Sequence, residues 1–321
     1  MRVGIVTIEK KPREGSGLED VIKELENRKM KYSLIHPQDI FWEDGEYCLF
    51  HQKRDGYEVS SLREETGNVD IFYIRSILGK SLAANFTTKE SFKVNLRLDS
   101  IESLGKPIVN EPEAMKKARD KSWACRNLYD LGVIPKTTVF SLTTLKSKEP
   151  LKNAVSRALK GKRNLIIKPT DSTGGDGCIY IEPGLKFRPF IDTYRYKDLL
   201  MQDKIEGPEY RFWMIGTKCK GAIERKPCEN DFRANTSCGG EEKPYKPLED
   251  EINLALLIHK RHGLEISALD LKRDVNSDSL KLLEINDHPG WKTHKRVYGT
   301  SLASDVIDHL EFKYNLQKHE I

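Results

Sequence analysis

Two carboxylates and an amide stand on what read as neighbouring strands late in this chain. In the run LLEIND, strand alternation puts Glu284 and Asn286 on one face. The preceding apolar run ALDL carries Asp270. A carboxylate among apolar strand residues is costly unless it is paired or bound to a metal. Asp270, Glu284 and Asn286 together offer an oxygen cage of the kind Mg²⁺ prefers, with waters and phosphate oxygens completing the shell. Unrelated acids on an edge strand are the plainer alternative. With oxygen ligands at hand, His288 reads as a loop residue rather than a ligand.

Well upstream lies IIKPTDSTGGDGC, residues 166–178. A short apolar run ends in Lys168, a loop carries Gly174, Gly175 and Gly177, and a second apolar run occupies 179–181. Glycines let backbone N–H groups close on a phosphate chain, and a lysine sets a point charge beside it. By itself the loop reads equally as a Gly-rich hairpin. The acids downstream favour phosphate, because the two halves would then clamp one ligand. No Ser-His-Asp, Cys-His or Walker-type GK[ST] arrangement competes.

The elements that must position these groups can be read from periodicity. Residues 3–8, 18–30 and 32–35 form strand, helix and strand, which implies a parallel pair. Residues 41–50 contain Asp44–Gly45, a hairpin signal. Residues 69–74 form a strand ending at Arg75, where ligands often meet such sheets, although a structural ion pair is the commoner role for an arginine there. A helix is expected over 85–104 and a short strand over 107–109. A helix then starts near Asn110–Pro112 and continues or restarts through Asp120 and Lys121 to Gly132. Residues 133–140 are extended and 150–159 helical. In the last third, strands are expected at 199–202, 210–215, 219–225, 266–271 and 280–285, with a helix over 248–262. Residues 232–240 read as a polar loop, and KPYKPLED (243–250) as a mobile one.

The chain has 321 residues, 38% hydrophobic and 32% charged, with a net charge of +5. That describes a polar, ordered protein with a sizeable core. Its basic residues are interspersed with acids, so no nucleic-acid-binding face is expected. Its six cysteines, Cys48, Cys125, Cys178, Cys219, Cys228 and Cys238, form no C-x-x-C pair and read as reduced thiols of a cytoplasmic protein. No signal peptide and no membrane-spanning run are apparent.

Seven segments in order carry a resemblance: ARDKSWACRNLYDLGVIPKT, IIKPTDSTGGDG, MQDKI, AIERK, DFRANTSCGG, ALDL and LEINDHPGW. From about residue 110 to 300 the chain resembles the RimK-type ATP-grasp carboxylate–amine ligases, the ribosomal protein S6 glutamate-ligase family. The resemblance implies a mixed α/β (α+β) fold. An N-terminal pre-ATP-grasp domain (1–110) would precede a central subdomain with a Gly-rich lid (111–200) and a C-terminal subdomain with the metal site (201–321). It implies that Lys121 and Lys168 reach the nucleotide phosphates under a lid formed by Ser172, Thr173, Gly174, Gly175 and Gly177. Gln202, Asp203, Lys204 and Ile205 would line the adenine position, and Glu209 the ribose hydroxyls. Arg225, Arg233 and Asn235 would serve the phosphates and the transition state, and Asp270, Glu284 and Asn286 the metal. Asp203 and Glu209 depart from the acids usual at those places, Glu and Asp, and Asp176 adds an acid to the lid.

The resemblance therefore implies an ADP-forming ligase using ATP and two Mg²⁺ ions, with Mn²⁺ a substitute. Its substrates would be an amino acid such as glutamate and a carboxylate on a peptide, protein or small molecule. It would work in the cytoplasm, with a homo-oligomer compatible and no membrane partner. A glutathione-synthetase-like or amino-acid-carrier ligase of the same fold is the nearest alternative. A non-catalytic ATP-binding regulator is the alternative from another class, and the full acid–acid–amide set speaks against it.

Overall fold

The computed structural model describes residues 1–53, 56–76, 96–141, 147–171, 177–194, 198–226 and 241–319. The chain opens with strand β1 (Arg2–Val6), a helix (Gly17–Asn27) and strand β2 (Lys31–Ile35). Ser16 at the helix N-cap accepts the Glu19 N–H, and the Glu19 carboxylate accepts the Gly15 N–H in return. This reciprocal cap fixes where the helix begins. Leu18, Val21, Ile22 and Leu25 form its buried stripe. With β6 (Ile71–Ile74) and β7 (Ile108–Val109), β1 and β2 make a parallel sheet in the order β2-β1-β6-β7. The expected parallel β-α-β opening is present.

The Asp44–Gly45 turn joins β3 (Ile40–Glu43) to β4 (Glu46–Lys53), both turn residues having positive φ, 47° and 97°. A further strand, β5 (Gly56–Ser61), completes a three-stranded antiparallel sheet. Most of the expected 85–104 helix lies outside the described residues, but residues 96–102 are helical. Beyond β7, helices Pro112–Arg119 and Lys121–Asn127 meet at Asp120, whose carboxylate caps the second by accepting the Ser122 N–H at 2.9 Å.

The middle of the chain is an antiparallel sheet in the order β10-β9-β11-β8. Its strands are β8 (Thr137–Ser141), β9 (Leu165–Pro169), β10 (Ile179–Ile181) and β11 (Asp198–Asp203). Helix Glu149–Lys160 packs on it, and its core of Leu151, Val155, Leu165, Ile167, Ile181 and Leu199 is its own. The last third is a sheet in the order β14-β13-β12-β15-β16: β12 (Glu209–Ile215), β13 (Lys218–Arg225), β14 (Glu242–Tyr245), β15 (Ile266–Arg273) and β16 (Leu280–Asn286).

Strand β14 corrects the loop expected over 243–250. Pro244 lacks an N–H for a ladder, which argues against a central strand but is tolerated on an edge, and β14 is an edge strand paired only with β13. Helix Glu249–His262 begins soon after it. Helices Lys292–Tyr298 and Ala303–Lys318, for which the sequence reading has no counterpart, return to the N-terminal unit. Val3, Ile5, Leu18 and Leu25 share a core with Trp213, Ile266, Val306 and Leu310, so the first and last sheets are packed together. Cys48, Cys125 and Cys219 are free thiols. Among the described residues, no helix is long and apolar enough to cross a membrane.

Candidate active site

Strand register sets the acids side by side. Asp270 on β15 lies opposite Glu284 on β16, and Asn286 is two residues further along the same face. The neighbour of Asp270 on its other side is Arg211 of β12. The guanidinium donates twice to the carboxylate, Nε to Oδ1 at 2.7 Å and Nη2 to Oδ2 at 2.6 Å. This is the bidentate geometry only arginine supplies. Arg225 on β13 adds a third bond, Nη1 to Oδ1 at 3.4 Å. Burial alone would push the buried Asp270 carboxyl up, but Arg211 and Arg225 outweigh it and hold it below the usual carboxylate range.

Arg225 itself is buried among three carboxylates. Asp270 is joined by Glu209, Oε1 at 3.8 Å, and Glu242, Oε1 at 3.4 Å. Glu242, on β14 with its side chain buried, also accepts from Thr293 Oγ1 at 3.0 Å and pairs with Arg296. Glu209 is pushed up to about 7, first by burial and then by the nearby Asp270 carboxylate, with Arg225 opposing both. Glu209 thus belongs to this ionic cluster.

The lysines come from the other side of a cleft. Lys168, on β9, is buried and donates to the Leu283 carbonyl of β16 at 3.2 Å. Burial lowers its pKa, and the Lys121 charge lowers it further. Lys121 opens the helix capped by Asp120, and its Nζ lies 3.6 Å from Glu284 Oε1. Between them is a pocket with apolar walls, Ile134, Leu200 and Leu282, and polar ends, Lys121, Lys168, Gln202 and Glu284. Gln202 is fixed by a 2.8 Å bond from its Nε2 to Thr137 Oγ1.

Other expected residues stand differently. Asp203 is paired with Arg163, whose Nε donates at 2.7 Å, and Lys204 is paired with Glu206 at 2.7 Å. Asp203, Lys204, Ile205 and Glu209 do not line the pocket. The Gly177 carbonyl accepts from Tyr194 Oη, and its φ is 70°. Ser172, Thr173, Gly174, Gly175, Asp176, Arg233 and Asn235 lie outside the described residues. His288 is in a loop as expected, its Nδ1 2.7 Å from Asp287 Oδ1. Arg211 and Glu242 are site residues that sequence reasoning misses. The alternation in EYR, which puts Glu209 and Arg211 on one face, is the available signal for the first.

The donor set suits Mg²⁺: two carboxylates and an amide oxygen on one sheet face, with no soft ligand among them. Among the described residues no three His, Cys, Asp or Glu side chains gather as a metal cluster; the third donor here is an amide, and Asp270 is turned to two arginines.

Residues 118–310 match the RimK-like ATP-grasp domain. The chain belongs to the RimK-like ATP-grasp family. A similar sequence is the probable alpha-L-glutamate ligase of Xanthomonas euvesicatoria pv. vesicatoria (strain 85-10), 27% identical over 67% of this chain and 72% of that protein. In fold the chain resembles the ATP-grasp ligase PsnB complexed with a minimal precursor, with a TM-score of 0.66, 17% identity, and coverage of 97% of this chain and 99% of that one. It also resembles D-alanine–D-alanine ligase from Bacillus anthracis, with a TM-score of 0.65, 15% identity and all of both chains covered. ATP-dependent formation of a carbon–nitrogen bond is the reaction class this membership brings, with ATP and Mg²⁺ as its requirements.

Proposed function

We propose that this ligase joins an amino acid, glutamate being the leading candidate, to the carboxylate of a peptide, protein or small-molecule acceptor in the cytoplasm. The observation that carries the reading is the approach of Lys121 to Glu284 across the cleft, 3.6 Å, beside buried Lys168. Cations of the middle unit there meet the acids of the last unit, where a nucleotide triphosphate would need charge of both kinds. The apolar walls of the pocket suit a base, and Gln202 gives it a polar edge.

In this reading Lys121 and Lys168 bind the nucleotide phosphates. Asp270, Glu284 and Asn286 hold Mg²⁺, two ions in the active complex and replaceable by Mn²⁺, which when bound neutralises charge on the phosphates being separated. The acceptor carboxylate attacks the γ-phosphorus and ADP leaves, giving an acylphosphate. The amine then attacks the acyl carbon, loses a proton, and phosphate departs. Arg225 stabilises negative charge as it develops, together with Arg233 and Asn235. Arg211 fixes Asp270 and compensates its charge. A glutamate donor is supported by the Xanthomonas relative's name and a peptide acceptor by the PsnB complex.

The test is phosphate release from Mg-ATP with a panel of amino acids and carboxylate acceptors. Release that needs both substrates and falls at least 100-fold in Lys168→Met supports the reading. Release independent of the amine, or undiminished in that variant, contradicts it.

A further inference from the structure

Among the described residues, Arg75 is a charge without a counter-ion. It lies immediately past β6, its backbone N–H bonded to the Val6 carbonyl at 2.8 Å, so it stands at the C-terminal edge of the parallel sheet. Among the described residues no ion pair of the kind suggested by sequence is seen, and the buried Nε–H of the guanidinium has no hydrogen-bond partner. Instead the guanidinium lies over the indole of buried Trp291, 5.0 Å from the ring centroid. A half-buried, unpaired guanidinium is costly, and such groups collect where anionic ligands bind.

Three further observations shape the place. Trp291 is 1% exposed, and its indole Nε1–H is an orphan donor. Both groups converge on Gly17, the first residue of an eleven-residue helix: a Cβ there would lie 2.8 Å from Trp291 Nε1 and 3.0 Å from Arg75 Nη2. The positive end of that helix therefore faces the same spot. The acids close by are already committed. Asp20 holds Lys295 at 2.8 Å and Ser301 at 3.0 Å, Glu19 holds Lys23 at 2.7 Å, and Asp287 holds Arg119 and His288.

The spot is linked through neighbouring backbone to the strand of the proposed metal site. Asn110, just past β7 on the same sheet edge, donates to the carbonyl of Asp287 at 3.1 Å, one residue beyond Asn286. Trp291 ends the loop that leads away from that metal-site strand.

Resting on the ligase reading above, we propose that Arg75, backed by Trp291 and the N-terminus of helix Gly17–Asn27, binds the unreacting carboxylate of the amine substrate. The subsite would hold an amino acid by a charge that takes no part in the chemistry, leaving its amine free to attack the acylphosphate. A guanidinium flattened on an indole keeps its outer N–H edge available for a two-point grip.

The test compares wild type, Arg75→Gln and Arg75→Lys in steady-state ligation. L-glutamate is the amine substrate, and its α-amide and side-chain amide are the competing probes. Arg75→Gln is expected to raise KM for glutamate at least 10-fold while changing KM for ATP and kcat less than twofold, with Arg75→Lys in between. Wild type should prefer glutamate to one of the two amides by a similar factor, and Arg75→Gln should lose that preference. An unchanged KM for glutamate, or an equal loss on glutamate and both amides, would overturn the subsite while leaving the ligase intact. A wild type that ligates no amino acid overturns the ligase reading and this subsite with it.

Discussion

Replacing Arg211 by methionine should expose how far the charge cluster on the sheet face supports the fold. Asp270 is 6% exposed, and its carboxylate takes its two short bonds, 2.7 and 2.6 Å, from Arg211 alone. Removing one partner of a buried pair costs about 3–5 kcal/mol, because the other charge is left without compensation. Arg225 remains at 3.4 Å, so the lower end applies, about 3 kcal/mol. At about 2–3 °C per kcal/mol in a chain of this size, the melting temperature should fall about 6–9 °C. The double variant Arg211→Met/Asp270→Asn removes both charges and should recover most of that loss, giving a coupling of about 2 kcal/mol. The effect should also depend on pH. In wild type the Asp270 carboxyl is lowered, so its stabilisation is present above the unfolded pKa of about 4 and is lost as pH falls through the lowered folded value. In Arg211→Met, burial should move the carboxyl up, and its penalty at neutral pH should vanish once both states are protonated. The gap between the two proteins therefore narrows from pH 7 towards pH 4. Additive losses in the double variant, or a gap constant with pH, would refute this reasoning.

Single contacts lead to further expected outcomes. Glu284→Gln keeps the shape of the β16 side chain and removes its charge, and should lower ligation about 100-fold or more in a turnover assay while leaving the melting temperature within about 2 °C. Gly207→Ala should destabilise by about 2–3 kcal/mol in a denaturant titration. Its φ is 137° and a Cβ would meet the Arg273 carbonyl oxygen at 2.0 Å, so both the backbone and the space are unsuitable. His259 and His262 are pushed down to about 4, in each case mainly by burial. Both stay neutral in the folded protein, while the unfolded chain protonates below its ordinary value of about 6.5. Stability should therefore fall as pH drops from about 6.5 to 4, by up to about 1.4 kcal/mol per pH unit for each histidine, and His262→Phe should flatten that slope in pH-dependent melts.

Local pattern explains which parts of this molecule are legible without coordinates. The β-α-β opening, the Asp44–Gly45 hairpin and the strand positions of Lys168, Asp270 and Glu284 depend on periodicities and turn residues that act over a few positions. Strand order depends on chain return, and there the sequence is mute. Arg211 meets Asp270 because β15 inserts between β12 and β16, a neighbour relation that no spacing announces. Glu242 is hidden in sequence because two prolines nearby suggest a loop, whereas Pro244 sits in an edge strand that tolerates it and Pro247 lies past the strand's end. Strand β5 is almost wholly solvated, so it carries no apolar alternation to read. The family resemblance matches Asp203 to the nucleotide, and the pairing of its carboxylate with Arg163 is a contact that the sequence does not announce. That pairing depends on the turn before β9 lying beside the end of β11.

In the proposed reaction an acceptor carboxylate is activated as an acylphosphate and then captured by an amine. The most direct measurement labels both oxygens of the acceptor carboxylate with oxygen-18 and analyses the released phosphate by mass spectrometry during Mg-ATP-dependent ligation. One labelled oxygen per phosphate, with the other kept in the amide carbonyl, is the predicted result. Unlabelled phosphate accompanying amide formation would contradict the account.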